Sequence, residues 1–149
     1  MTRTLKQHAI ELLARREHSR LELKRKLLQR AYPADEIEHV LASLIEQNLL
    51  SDERFTEMYI RSRANRGYGP ARIILELNER GVSEEDIQQG MANCEINWQR
   101  NALEVRNKKY YGTIDADYQT IAKQKRFLNY RGFTQEHIQY VFCANVDER

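Results

Sequence analysis

Cysteine is nearly absent: Cys94 and Cys143 are the only two among 149 residues. They stand far apart and fit no metal-ligand spacing, which excludes a disulfide framework and a zinc module. Both fall at apolar positions of expected helices, and the expectation is two reduced core residues in a cytosolic protein. Proline is as scarce, with two residues, and glycine numbers six. That composition excludes long disordered stretches. No apolar run approaches the roughly 20 residues that span a bilayer. Residues 1–7 show no apolar signal region. Catalytic groupings are missing too. His8, His18, His39 and His137 are scattered, with no second histidine or carboxylate pair at ligand spacing. Gly67-Tyr68-Gly69-Pro70 lacks the Lys and Ser/Thr that grip phosphate in a nucleotide-binding loop. Neither cysteine has a neighbouring histidine to activate it. Neither an enzyme nor a bound cofactor or metal is expected.

What the chain does have is a repeat. Leu27, Leu77 and Leu128 form one column; Arg30, Arg80 and Arg131 a second; Tyr32, Val82 and Phe133 a third; Ile37, Ile87 and Ile138 a fourth. A period of about 50 residues marks a tandem array of one supersecondary unit. Such an array favours an extended binding surface over a single catalytic cleft. Units this small bury little core alone, so neighbours must cover one another's apolar faces. Hydrophobic residues make up 41% and charged residues 31%, which fits a thin, surface-rich helical protein.

Each unit reads as three helices. First helices are expected near 5–15, 52–63 and 98–110. Second helices begin near Ser19, where Glu22 completes a capping box, at Gly69-Pro70, and near Thr120. They stop at Ala31, Gly81 and Gly132; glycine accepts the left-handed conformation there, and Ala31 implies a weaker or different cap. Third helices carry Ile37, Val40, Leu41, Leu44 and Ile45, then Ile87, Gly90, Met91 and Cys94, then Ile138, Val141, Phe142 and Val146 on one stripe. Ser83 and Thr134 cap two of them, and Pro33 marks the start of the other. Turns are expected at 65–70 and 111–115. No strand is expected. The fold expectation is all-α: three tandem three-helix, helix-turn-helix-like repeats at 1–48, 49–97 and 98–149, in an elongated, curved array.

Charge follows the repeat. Residues 1–30 carry a net +6 and 31–59 a net −6; 60–80 carry +3 and 81–97 carry −4; 98–131 carry +5 and 132–149 carry −2. Each segment that contains a second helix is therefore basic, and each that contains a third helix is acidic. A basic stripe along an array is an electrostatic footprint for a polyanion or an acidic protein groove. The competing explanation is mutual neutralisation of neighbouring helices on a solvated surface. The densest clusters are Arg20, Lys24, Arg25, Lys26 and Arg30, then Lys123, Lys125, Arg126 and Arg131. Tyr59, Tyr68, Tyr110, Tyr111, Tyr118 and Tyr130 lie near cations, where a ring can stack on a base or pack in a core. Core packing is expected for Tyr59, which shares a helical face with Phe55. His137 suits a surface or capping role.

Three stretches together resemble the RecX regulatory proteins of bacteria: residues 9–23, Leu49-Leu50-Ser51-Asp52-Glu53-Arg54-Phe55 with Tyr59 and Arg63, and Gly69-Pro70-Ala71-Arg72 through Arg80-Gly81-Val82. Arg131-Gly132-Phe133 extends the likeness, which covers almost the whole chain. Ala31, Ser51 and Thr56 depart from the family's usual residues. The resemblance implies a cytoplasmic, monomeric modulator of the RecA recombinase. Such a protein binds in the groove of the RecA–DNA filament and inhibits recombination, ATP hydrolysis and co-protease activity. The residues expected to contact filament or DNA are Arg20, Lys24, Arg25, Lys26, Arg66, Arg72, Lys108, Lys109, Lys123, Lys125 and Arg126. The alternative is a stand-alone, sequence-nonspecific DNA-binding module.

Overall fold

The computed structural model describes residues 3–111 and 117–147, the last four by backbone alone. Among the described residues the chain forms nine α-helices: α1 (Leu5–Arg15), α2 (Arg20–Gln29), α3 (Ala34–Glu46), α4 (Asp52–Asn65), α5 (Pro70–Glu79), α6 (Glu84–Asn93), α7 (Trp98–Lys109), α8 (Tyr118–Tyr130) and α9 (Gln135–Asp147). No strand occurs among them. Three helices therefore fall to each repeat, as the periodicity requires.

Side-chain caps set the helix starts. Ser19 accepts from Glu22 N while the Glu22 carboxylate accepts from Ser19 N, the reciprocal box read from the sequence. Thr4 and Gln7 make the same pair ahead of α1. Asp86 N donates to Ser83 Oγ at 3.1 Å. Thr134 receives His137 N at 3.3 Å and returns its own N–H to His137 Nδ1 at 3.4 Å, the capping role foreseen for this histidine. Two starts differ from expectation. Helix α8 begins two residues before Thr120 because Asp117 accepts from Thr120 N at 2.9 Å. Pro33 occupies the cap position itself, without a side-chain bond.

The repeat columns are helix stops. After α5 and α8, Val82 N donates to Leu77 O at 3.2 Å and Phe133 N to Leu128 O at 3.1 Å. Gly81 N and Gly132 N reach Asn78 O and Asn129 O at 3.1 and 3.0 Å. This paired pattern satisfies the last carbonyls, and it brings Val82 and Phe133 back toward Leu77 and Leu128. The left-handed residues are Gly81 (φ 77°) and Gly132 (φ 101°). The first copy uses the same conformation without glycine: Ala31 sits at φ 65°, and its N–H donates to Leu28 O at 3.0 Å. The Ala31 cap thus keeps the left-handed conformation and carries a steric cost of about 1 kcal/mol in its Cβ.

The described chain divides into two compact units. Unit 1 is Met1–Tyr59 with Leu77–Gly90, and unit 2 is Ile60–Glu76 with Met91–Arg149. Helices α4, α5 and α6 each contribute to both. In unit 1, Ala9, Leu23, Leu27, Ile37, Leu41, Leu44 and Leu50 pack into one core, and Phe55, Leu77, Val82 and Ile87 are also buried. In unit 2, Ala102, Leu128, Phe133, Ile138 and Val141 form the core, and Ile60, Ala64 and Ile73 are buried. Each of the larger side chains contributes roughly 1.5–3 kcal/mol.

Three residues expected in the apolar interior need correction. Cys143 is exposed rather than core, since five residues past Ile138 a helix has turned far from the Ile138 face. Cys94 is half-buried just beyond the end of α6, its S–H donating to Met91 O at 3.1 Å. Ile45 is likewise 46% exposed, about 80° around the helix from Ile37. Residues 112–115 of the expected turn and the Val146 side chain lie outside the described residues.

Candidate functional site

The first basic cluster is largely spoken for inside unit 1. The Arg20 guanidinium meets one oxygen of Glu38, and Lys24 Nζ lies 2.6 Å from the other. The hydrogen bond from Lys24, followed by that from Arg20, holds the Glu38 carboxyl below its usual range. Lys26 Nζ donates to His18 Nε2 at 2.8 Å. His18 is buried, and its Nδ1 lies 3.0 Å from the Arg16 carbonyl, so Nδ1 carries the proton and Nε2 is the acceptor. Burial lowers the pKa of both His18 and Lys26. Arg25 reaches the Glu79 carbonyl at 3.4 Å. Nearby, Glu22 faces Arg16 at 3.2 Å and Arg80 at 3.6 Å, and Glu17 faces Arg54 at 3.0 Å. Basic α2 and acidic α3 therefore neutralise one another in part, as the competing explanation of the charge pattern holds.

Unit 2 is organised around Tyr68. The Arg63 guanidinium lies 3.9 Å from the ring centroid, with Arg72 and Arg131 each at 4.6 Å. Arg63 also grips both oxygens of Glu76 at 2.9 Å, and Arg72 reaches the same carboxylate at 3.3 Å. Arg72 extends over Tyr130 at 5.2 Å. The ring is held there by a close backbone approach. Gly69 N donates to Arg131 O at 2.8 Å and Ala71 N to Gly132 O at 2.9 Å, so the start of α5 satisfies the end of α8. A Cβ on Gly69 would stand 2.4 Å from the Gly132 carbonyl carbon, and one on Gly132 would stand 2.4 Å from Arg72 Cβ.

The remaining expected contacts lie on the outside of unit 2. Lys123, Lys125 and Arg126 of α8 are exposed, with Lys125 5.3 Å from the Phe142 centroid. Arg66, Lys108 and Lys109 are exposed and share a cavity with Arg131. Tyr111, Tyr118 and Tyr130 are 91%, 85% and 72% exposed, whereas Tyr59 packs on Phe55 at 5.4 Å. Arg106 is different. It is buried, its Nε donates to Gln124 Oε1 at 2.9 Å, and burial lowers its pKa. One charge counted in the basic segment 98–131 thus serves the interior.

Sequence reading found the clusters but missed the Tyr68 stack. Its signals were present: the tyrosine framed by Gly67 and Gly69, and the Arg column that places Arg131 at the end of α8. Among the described residues no group of three or more His, Cys, Asp or Glu could hold a metal ion. No described helix is long and apolar enough to cross a membrane.

Comparison with known proteins covers both sequence and fold. Three family models match in order: the first three-helix domain of RecX over residues 6–44, the second over 51–91 and the third over 96–142. The regulatory protein RecX of Pseudomonas syringae pv. tomato is 45% identical over 134 residues, 90% of this chain and 86% of its own. That of Pseudomonas entomophila is 48% identical over 130 residues, 87% and 84% of the two chains. The crystal structure of RecX from Lactobacillus salivarius superposes with a TM-score of 0.78 at 21% identity, covering 97% of this chain and 93% of that one, which speaks for the fold.

Proposed function

Because the chain belongs to the RecX family of regulatory proteins, we propose that it binds the RecA–DNA filament in its groove and inhibits recombination, ATP hydrolysis and co-protease activity. The observation that carries this reading is the order and coverage of the three family domains over one chain. Repeated units are suited to a helical filament, because several weak contacts on successive protomers add through avidity. The cations expected to make those contacts divide by availability. Lys123, Lys125 and Arg126 are exposed on α8, while Arg20 and Lys24 would first have to leave Glu38. The exposed α8 cluster is therefore assigned the larger share.

The test is inhibition of RecA ATP hydrolysis on single-stranded DNA by the chain and by a Lys123→Glu, Lys125→Glu, Arg126→Glu variant. The variant is expected to need at least tenfold more protein for half-inhibition. Full inhibition by a folded variant would remove α8 from the interface, and absence of inhibition by the unmodified chain would remove the function. A second reading is supported by the exposed Tyr111, Tyr118 and Tyr130, the last with Arg72 5.2 Å from its ring: direct, sequence-nonspecific DNA binding. Its mark would be DNA affinity that falls steeply with salt, without effect on a pre-formed filament.

A further inference from the structure

One concavity in unit 2 gathers cations that, among the described residues, have no carboxylate within salt-bridge distance. Its volume is about 490 Å³, and Arg66, Lys108, Lys109 and Arg131 line it together with a single acid, Glu104. Glu104 is engaged elsewhere, 3.3 Å from Arg100. Among the described residues none of the four cations is ion-paired. Two of them are held by an aromatic face instead: Lys109 Nζ lies 4.0 Å from the Phe127 centroid and the Arg131 guanidinium 5.5 Å from it. Phe127 is itself half-buried, edge-on to Tyr110 at 5.8 Å, so the platform is fixed.

The chemistry of that arrangement is selective. An ion pair positions a cation and cancels its field. A cation over a ring is positioned by the ring quadrupole and keeps its charge. Four cations around one concavity, two of them held this way, repel each other until an anion enters. The cavity falls in the size range of small-ligand sites. Arg offers a planar fork for phosphate oxygens and Lys a point charge, the two ways proteins hold phosphate. A single carboxylate would leave most of the field unbalanced. We propose that this cavity is a phosphate clamp that takes two or more adjacent phosphate groups, supplied by a nucleic-acid strand or by a free nucleoside triphosphate. The clamp is a property of unit 2 and does not depend on an interaction with RecA.

Binding to the isolated, intact chain tests this, with no RecA present. The probes are a fluorescent oligothymidylate and inorganic triphosphate, each titrated over a range of salt. Arg66 and Lys108 are exposed, so Arg66→Gln with Lys108→Gln should leave the fold intact, checked by circular dichroism. The ion-paired Arg16→Gln with Arg54→Gln serves as the charge-matched control. The unmodified chain is expected to bind at least one probe. The cavity variant should lose tenfold or more, with a salt slope for the oligonucleotide smaller by about 1.4 for two lost contacts. The control should stay within twofold of the unmodified chain once corrected for net charge. Loss confined to the oligonucleotide identifies a strand as the source, loss confined to triphosphate identifies a free nucleotide, and loss of both identifies a shared site. The proposal is overturned if the unmodified chain binds neither probe, or if the two variants weaken binding equally.

Discussion

In unit 1 five cations end on carboxylates: Arg20 and Lys24 of α2 on Glu38, Arg16 and Arg80 on Glu22, and Arg54 on Glu17. In unit 2, Arg131 ends on the faces of Tyr68 and Phe127, and Lys109 on Phe127. Along the chain the two regions look alike, with net charges of +6 and +5 in their basic segments. In space they differ in what remains to attract a partner. A segregated charge pattern therefore reports potential, and the partner of each side chain decides how much of it reaches solvent. Arg63 shows that both devices can meet on one residue, since it holds Glu76 and stacks on Tyr68.

The contrast can be broken first at the backbone. Gly69→Ala should destabilise unit 2 by about 3 kcal/mol, because the new Cβ meets the Gly132 carbonyl rather than a side chain that can swing away. Hydrogen exchange read by mass spectrometry should show lost protection in α7, α8 and α9, with α1, α2 and α3 retaining theirs. Equal loss in both sets would mean the units do not open separately.

A smaller change should make unit 1 behave like unit 2. Glu38→Gln releases Arg20 and Lys24 from their shared acid. Single-stranded DNA affinity at low salt is expected to rise severalfold, with a steeper salt dependence. An unchanged titration would show that the α2 cations are no reservoir of binding charge.

The smallest expected effect is on pH. His18 is buried and neutral, its Nε2 accepts a hydrogen bond from Lys26 Nζ, and burial lowers its pKa. Between that lowered value and the ordinary 6.5 the unfolded chain binds more protons than the folded one, so stability rises with pH. Acidification from pH 7.5 through 6.5 should lower the melting temperature, and the loss should level off below the folded-state pKa. His8 shifts in the same direction, also by burial, so His18→Gln should flatten the curve in part. A melting temperature that is flat over this interval would contradict the neutral, buried assignment.

Much of this was open to reading in the residues alone. The Leu, Val/Phe and Ile columns are local in cause: Leu77 with Val82 and Leu128 with Phe133 close the ends of α5 and α8 within a few residues of backbone. Caps such as Ser19 with Glu22 are equally local. Cys143 was misread because one residue of helical phase separates the core face from solvent. The Tyr68 stack was out of reach, since Arg131 lies more than sixty positions from the ring it covers.

Helix count, helix limits, the fifty-residue period and family membership follow from short-range chemistry: hydrophobic phase, capping and the left-handed residue after a helix. Those interactions close within one or two turns, so the order of amino acids suffices to set them. The fate of each charge was decided by the fold. Whether a lysine finds Glu38, His18, Phe127 or water depends on packing between elements that are distant along the chain, and electrostatic energy depends on that surrounding as much as on the charge itself.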